Sequence, residues 1–289
     1  MGDLRSSARR FRTAQALLRS AGARGGLVAD IQATAVVLGA GRGTRFGGRE
    51  EGNKVFALLG GAPVLLRALA AFARVPQVVE VVVVGQRGHA ARLRELTAGL
   101  SLPVRVVTGG PRRQDSAWAG VAAASQELVL VHDAARPLVS PALIRRVLAA
   151  AGEHGAAVPI LLVPDTVRYV DGRGFLRAGE VDRDGLVQVQ TPQGFRRRLL
   201  LAGYEEAQQR GLSLPDDAAA VLALGQPVAA VRGEPWNLKI TRREDLAWAR
   251  RFMAAQPAAR GAGEAGGEQS PPRSTQRPES APPAGPPPT

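Results

Sequence analysis

Between Ala35 and Gly48 the chain reads AVVLGAGRGTRFGG, which sets five glycines and two arginines directly behind a short apolar run. Glycine permits the dihedrals that turn successive backbone N–H groups inward and lets an anion come close to the main chain, so a loop of this kind suits phosphate oxygens. Arg45 adds a fixed charge and a fork of donors. Two more cations stand apart by type: among 38 basic residues only Lys54 and Lys239 are lysines. An ammonium is a compact point charge with three rotatable donors, whereas guanidinium is a broad planar fork, so a tight site around one phosphate oxygen can demand lysine where arginine serves everywhere else. The chemistry that these residues suit is neutralisation of a polyphosphate.

Familiar phosphate loops do not fit the spacing. A dinucleotide fingerprint starting at Gly39 needs glycine at position 44, where Thr44 stands. Gly43 and Gly48 have the Walker separation, but Arg49 and Glu50 follow instead of lysine and a hydroxyl residue. With no cysteine, and with His89, His132 and His154 among unlike neighbours, the chain offers no thiolate nucleophile, disulfide frame or structural zinc site. Any metal must be held by oxygen ligands or by the substrate.

The elements that must position these residues alternate along the chain. ATAVVLGA, VVEVVVVG, PVRVVTGG, ELVLVHDAARP and AAVPILLVP read as strands. Between them APVLLRALAAFARV, HAARLRELTAGL, DSAWAGVAAAS and SPALIRRVLAAAGEHG read as helices. Such alternation predicts an α/β fold with a mainly parallel sheet covered by helices, in which ligands sit at the carboxyl ends of the strands. The glycine loop follows the first of those strands. From Asp165 to Gln188 the pattern breaks into two short alternating stretches around DGRG, which predicts a β arm over about 164–188 projecting from the domain.

The predicted domain spans 32–254. Residues 1–31 form a basic, weakly amphipathic extension, expected to be flexible, without the apolar core of a secretory signal. Residues 255–289 hold nine of the 21 prolines and no aromatic residue, too little apolar surface to offset chain entropy, and predict a disordered Pro/Gly-rich tail. The longest apolar run has strand length, which argues against a membrane span; a cytoplasmic location is expected. The formal charge of +13 raises the question of nucleic acid, but the arginines are spread through every segment and only three tryptophans and two tyrosines accompany them. No basic stripe interleaved with stacking aromatics results, so anionic small molecules are the expected partners.

VVLGAGRGTRFG, NKVF, GGPRRQDSAWAG, VHDAARP, PDTVR, VDRDGL, TPQGF and NLKIT occur in an order and approximate spacing that resembles the 2-C-methyl-D-erythritol 4-phosphate cytidylyltransferases of isoprenoid biosynthesis, over roughly Thr34 to Arg250. The resemblance implies a Rossmann-like nucleotidyltransferase three-layer sandwich, CTP and a polyol phosphate as substrates, pyrophosphate as leaving product, and a homodimer formed through the β arm. It implies magnesium, or another divalent cation, held mainly by the CTP phosphates rather than by a protein cage. By resemblance Arg45, Lys54 and Lys239 are catalytic cations. Gly39, Ala40, Gly41 and Gly43 meet the triphosphate, Gly110 and Ser116 the nucleoside, and Asp133 lies between ribose and acceptor. Arg136, Thr166, Arg183 and Thr191 meet the acceptor, with Thr166 and Arg183 reaching it across the dimer from the other copy of the chain.

The chain departs from the family pattern at several points. Asn53 and Val55 flank the first lysine in place of proline and glutamine, the loop from Arg45 to Lys54 is about two residues longer, Arg168 replaces a lysine, and Pro215 precedes the Asp216–Asp217 pair where threonine is frequent. Two other readings stay open: a cytidylyltransferase for ribitol 5-phosphate or a related polyol phosphate, and a non-catalytic nucleotide-binding module on the same fold. The carboxyl-terminal region has no histidine and no aspartate for a metal pair, which predicts a single activity for the chain.

Overall fold

Residues Ala33–Leu38 can lie only in the middle of a sheet covered on both faces, because apolar side chains point both ways and five of the six are buried. The structure, a computed structural model, describes residues 31–41, 43, 46, 53–179, 181 and 185–255. The expected basic extension and proline-rich tail therefore lie outside the described residues, apart from their innermost positions.

In chain order the strands are β1 (Ala33–Leu38), β2 (Leu58–Leu59), β3 (Ala62–Pro63), β4 (Val78–Gly85), β5 (Val104–Thr108), β6 (Leu128–Asp133), β7 (Ala156–Leu162), β8 (Val187–Val189), β9 (Gln193–Arg196) and β10 (Ala229–Arg232). The α-helices are α1 (Val64–Ala73), α2 (Ala90–Thr97), α3 (Arg113–Ala123), α4 (Pro141–His154), α5 (Arg197–Gln209), α6 (Ala218–Ala223) and α7 (Arg243–Ala255). The main sheet has the order β10-β7-β9-β6-β1-β4-β5, with β8 paired to β7, while β2 and β3 form a separate small hairpin. β6, β1, β4 and β5 run parallel, as do β7 and β10; β9 lies antiparallel between β6 and β7. The mainly parallel sheet of the sequence reading is present.

The two faces of β1 sort the helices. Ala33, Ala35 and Val37 pack with Leu65, Leu69 and Phe72 of α1 and with Ile144 and Val147 of α4. Val36 packs on the other side with Val121 of α3, Leu200 of α5 and Val221 of α6. The result is the expected three-layer sandwich. α3 approaches β1 and β4 closely at Gly120, where a Cβ would lie 2.4 Å from Val36 Cγ1 and 2.7 Å from Val84 Cγ2. α4 begins where its sequence directs: Ser140 at the N-cap accepts from the Leu143 amide and Pro141 takes the first turn. A third apolar cluster, Leu59, Val64, Ile240, Leu246 and Ala249, seats α7 over the β2–β3 hairpin. It also anchors the segment that carries Lys239.

The arm leaves the end of β7 and returns through β8. Its turn is the predicted DGRG: Asp171 Oδ1 accepts from the Arg173 and Phe175 amides, and Gly174 donates to the Asp171 carbonyl. Among the described residues of the arm one isolated antiparallel bridge, Val170 to Leu176, joins the two sides.

Candidate active site

β1, β4, β5 and β6 end side by side, and the segments leaving them wall a cleft of about 660 Å³. β1 supplies Gly39 to Gly41 and Gly43, β5 supplies Gly109 and Gly110, the start of α3 supplies Arg113 and Ser116, and β6 supplies Asp133. Two side-chain amides hold the glycine loop by its carbonyls. Gln86 Nε2 donates to Ala40 O (3.2 Å) and Gly41 O (3.3 Å), and Asn53 Nδ2 donates to Gly39 O (3.2 Å). Asn53 also caps the short 3-10 turn Lys54–Phe56 through the Val55 amide. Asn53, which stands where the resemblance expects proline, thus ties the first lysine's turn to the glycine loop.

Both lysines line this cleft. Lys54 Nζ donates to Ile240 O at 2.9 Å, so the two lysine-bearing segments touch. Lys239 Nζ lies 2.8 Å from Asp133 Oδ2. Arg113 Nε is 3.5 Å from Asp133 Oδ1 and Arg136 Nε 3.9 Å from Oδ2. Burial would raise the Asp133 pKa, but Arg113, Lys239 and Arg136 together hold it well below the usual carboxylate range. A carboxylate this enclosed is tolerable only with such compensation.

Behind Asp133 runs a chain of hydrogen bonds with one consistent proton assignment. The Asp133 amide donates to Thr191 Oγ1 (3.1 Å), the Thr191 hydroxyl donates to His132 Nδ1 (3.0 Å), and His132 Nε2 donates to the Arg136 carbonyl (3.1 Å). This assignment requires neutral His132, and burial pushes its pKa down from 6.5 to about 4.

Arg113 has a second and tighter partner. Its Nη1 and Nη2 donate to Asp217 Oδ1 and Oδ2 at 2.9 and 2.8 Å. The Tyr204 hydroxyl donates to Asp217 Oδ1 at 2.7 Å, and Gln193 Oε1 accepts from the amides of Asp217 and Ala218. Burial would lower the Arg113 pKa, but the Asp217 and Asp133 carboxylates raise it above its ordinary value; burial and Asp217 both push the Tyr204 phenol upward.

Of the residues singled out from sequence, Gly39, Ala40, Gly41, Gly43, Lys54, Gly110, Ser116, Asp133 and Lys239 line one cleft. The Ser116 hydroxyl is turned to the carbonyls of Gly110 (3.3 Å) and Arg112 (3.2 Å), so it also braces its own wall. Arg136 and Thr191 stand behind Asp133, and Arg136 Nη1 donates to Asn237 O at 2.7 Å. Thr166 is exposed on the arm and does not line the cleft. Arg45 and Arg183 lie outside the described residues. Sequence reasoning missed Arg113, Gln86, His132 and Asp217. Arg113 sits three residues before Ser116 in GGPRRQDSAWAG, but its neighbour Arg112 has the same side chain, and only the fold shows which of the two turns inward.

A glycine loop closing the first strand of a doubly wound sheet, faced by two lysines and a caged carboxylate, is the arrangement of a nucleotidyltransferase. The comparisons with known proteins agree. Residues 33–255 match the family model described as IspD: 2-C-methyl-D-erythritol 4-phosphate cytidylyltransferase, and the chain belongs to that family. It is 37% identical over 227 residues to 2-C-methyl-D-erythritol 4-phosphate cytidylyltransferase of Geobacillus kaustophilus, covering 78% of this chain and 98% of that one. It is 42% identical over 239 residues to the bifunctional enzyme IspD/IspF of an Anaeromyxobacter species, where the match covers 81% of this chain but spans only 60% of the relative's length. The fold resembles the crystal structure of 2-C-methyl-D-erythritol 4-phosphate cytidylyltransferase from Thermus thermophilus, with a TM-score of 0.66 and 39% identity over 78% of this chain and all of that one.

Proposed function

We propose that this protein transfers a cytidylyl group from CTP to 2-C-methyl-D-erythritol 4-phosphate, giving 4-diphosphocytidyl-2-C-methyl-D-erythritol and pyrophosphate in the non-mevalonate route to isoprenoids. The observation that carries this reading is the Asp133–Lys239 contact of 2.8 Å in a cleft that Lys54 and the glycine loop also line. An acceptor phosphate oxygen attacks the α-phosphorus, the bond to the bridging oxygen breaks, and pyrophosphate departs in line. Nothing covalent is asked of the protein. Lys54, Lys239 and Arg45 neutralise the charge that gathers on the phosphoryl oxygens and the leaving group; Lys54 and Lys239, already held at Ile240 O and Asp133, need little reorganisation as the reaction proceeds. Asp133, held ionised, orients hydroxyl groups between nucleotide and acceptor. Gly110 and Ser116 face the nucleoside, Arg136, Thr166 and Arg183 serve the acceptor side, and Thr191 supports that side indirectly by holding the Asp133 amide.

A divalent cation, magnesium by preference, supplies Lewis-acid neutralisation of the triphosphate when bound. The donor set fits a cation carried mainly by the nucleotide: Asp133 is the one carboxylate among the described residues of the cleft, and Lys239 already engages it. Homodimer formation through the arm is supported by the apolar side chains it holds out to solvent, Tyr169 at 67%, Phe175 at 69% and Leu176 at 72% exposure. Pyrophosphate release from CTP, measured with methylerythritol phosphate, with ribitol 5-phosphate and with neither, tests the function. Preference for the first acceptor is the expected result. Preference for ribitol 5-phosphate overturns the acceptor, and no release with either overturns the activity.

A further inference from the structure

Lys239 is carried by a stretch between β10 and α7 that has no regular secondary structure, so no ladder of backbone hydrogen bonds fixes its place. Its tethers are individual. The Ile240 amide donates to Ala135 O at 2.8 Å, which ties the end of the segment to the residues that follow Asp133. The start of the segment is held by Gln190, the residue that directly follows β8 at the return of the arm. Gln190 Nε2 donates to Glu234 O at 2.9 Å, and Gln190 Oε1 accepts from the Glu234 amide at 3.1 Å. Gly233 leaves room for this pairing, since a Cβ there would lie 2.6 Å from Gln190 Oε1.

Asn237 makes the reciprocal tie. Its Nδ2 donates to Thr191 O at 2.8 Å, while its own carbonyl accepts from Arg136 Nη1 at 2.7 Å. Gln190 is 5% exposed and Asn237 is fully buried, so solvent does not replace these bonds when they are lost. Thr191, on the other side of the pairing, holds the Asp133 amide. One end of the clasp thus supports the carboxylate and the other supports the lysine that meets it.

We propose that Gln190 and Asn237 are positioning residues: their buried side-chain amides clasp the Lys239 segment to the strand segment supporting Asp133, and thereby set the Asp133–Lys239 separation. Because Gln190 ends the arm, displacement at the arm's base is passed to Lys239 through this clasp. The kinetic part of the test rests on the cytidylyltransferase reading; the spectroscopic part does not.

The test uses the full chain with lysine side chains labelled in ¹³C and ¹⁵N. Only Lys54 and Lys239 then give side-chain signals, and Lys239→Ala identifies which is which. In Gln190→Leu the Lys239 resonances shift towards those of a solvated lysine, and by more than those of Lys54, whose Nζ bonds the neighbouring Ile240 carbonyl. The kcat of pyrophosphate release falls about tenfold, but the same substitution costs less than twofold in the Lys239→Ala background, because Gln190 acts through Lys239. Should Gln190→Leu fail to fold, Gln190→Glu, which keeps the acceptor and loses the donor, reads the same quantities. An unmoved Lys239 signal in a folded variant overturns the proposal, as does an equal loss in both backgrounds. If the parent protein turns over no substrate, the functional reading fails while the resonances still decide the clasp.

Discussion

Arg113 and Asp217 meet through two parallel hydrogen bonds of 2.9 and 2.8 Å, and Asp217 is fully buried. The pair brings the start of α3 to the start of α6 and leaves Arg113 Nε aimed at Asp133. Removing one member of a buried, hydrogen-bonded ion pair strands the other, so Asp217→Ala is expected to cost about 3 kcal/mol of stability. Urea unfolding of the variant against the parent measures it. Tyr204→Phe, which removes one hydroxyl donor to a charged acceptor, costs about 2 kcal/mol by the same assay.

Sequence made some of this site legible and hid the rest, for physical reasons that differ by residue. β4 could be read from VVEVVVVG because a strand buried on both faces is apolar at nearly every position; its one carboxylate, Glu80, is buried on the hydroxyls of Thr34 and Ser125. Lys54 and Lys239 stood out because the chain had replaced lysine everywhere else. The DGRG turn announced itself through its Asp and Gly. Asp217 gave no such signal: its partner is 104 positions away, one guanidinium among many, and nothing local marks a carboxylate as buried. β9 escaped too, since a four-residue antiparallel strand, QGFR, is too short to show a period. Thr191 was read as part of the pocket, but its hydroxyl is spent on the Asp133 amide and His132.

The pH dependence of stability carries the mark of His132. Its folded pKa, about 4, lies below the ordinary 6.5, so between those values the unfolded chain binds more protons than the folded one. The stabilisation is complete above pH 6.5 and is lost as pH falls towards 4. Over that window the unfolding free energy is expected to drop by roughly 3 kcal/mol, and His132→Gln flattens the profile. Urea titrations at half-unit pH steps read both.

Exchanging ammonium for guanidinium in the cleft tests whether point charges are required there. Lys54→Arg and Lys239→Arg each keep the charge but not the shape. Each is expected to lower kcat/KM for pyrophosphate release on the order of a hundredfold, with circular dichroism unchanged. Parental turnover in both variants would remove the reason given for the survival of these two lysines.

Gly120→Ala probes the approach of α3 to the sheet. A methyl group 2.4 Å from Val36 Cγ1 and 2.7 Å from Val84 Cγ2 forces these side chains, or the elements that carry them, to shift. The expected cost is about 2 kcal/mol, read as a fall in melting temperature of about 6 °C for a domain of this size. Because α3 also presents Arg113 and Ser116, the KM for CTP is expected to rise as well.

The place of β9 matters for how the chain is made. Its residues, 193–196, are translated after both of the strands they separate. A nascent polypeptide that has left the ribosome only as far as Leu162 carries β6 and β7 with a vacant slot between them, each offering an open row of amides and carbonyls to any passing strand. The slot closes when Gln193–Arg196 emerges, and with it arrive Thr191 for the Asp133 amide and Gln193 for the start of α6. Synthesis halted before Arg196 is therefore expected to yield a fragment that self-associates through those open edges.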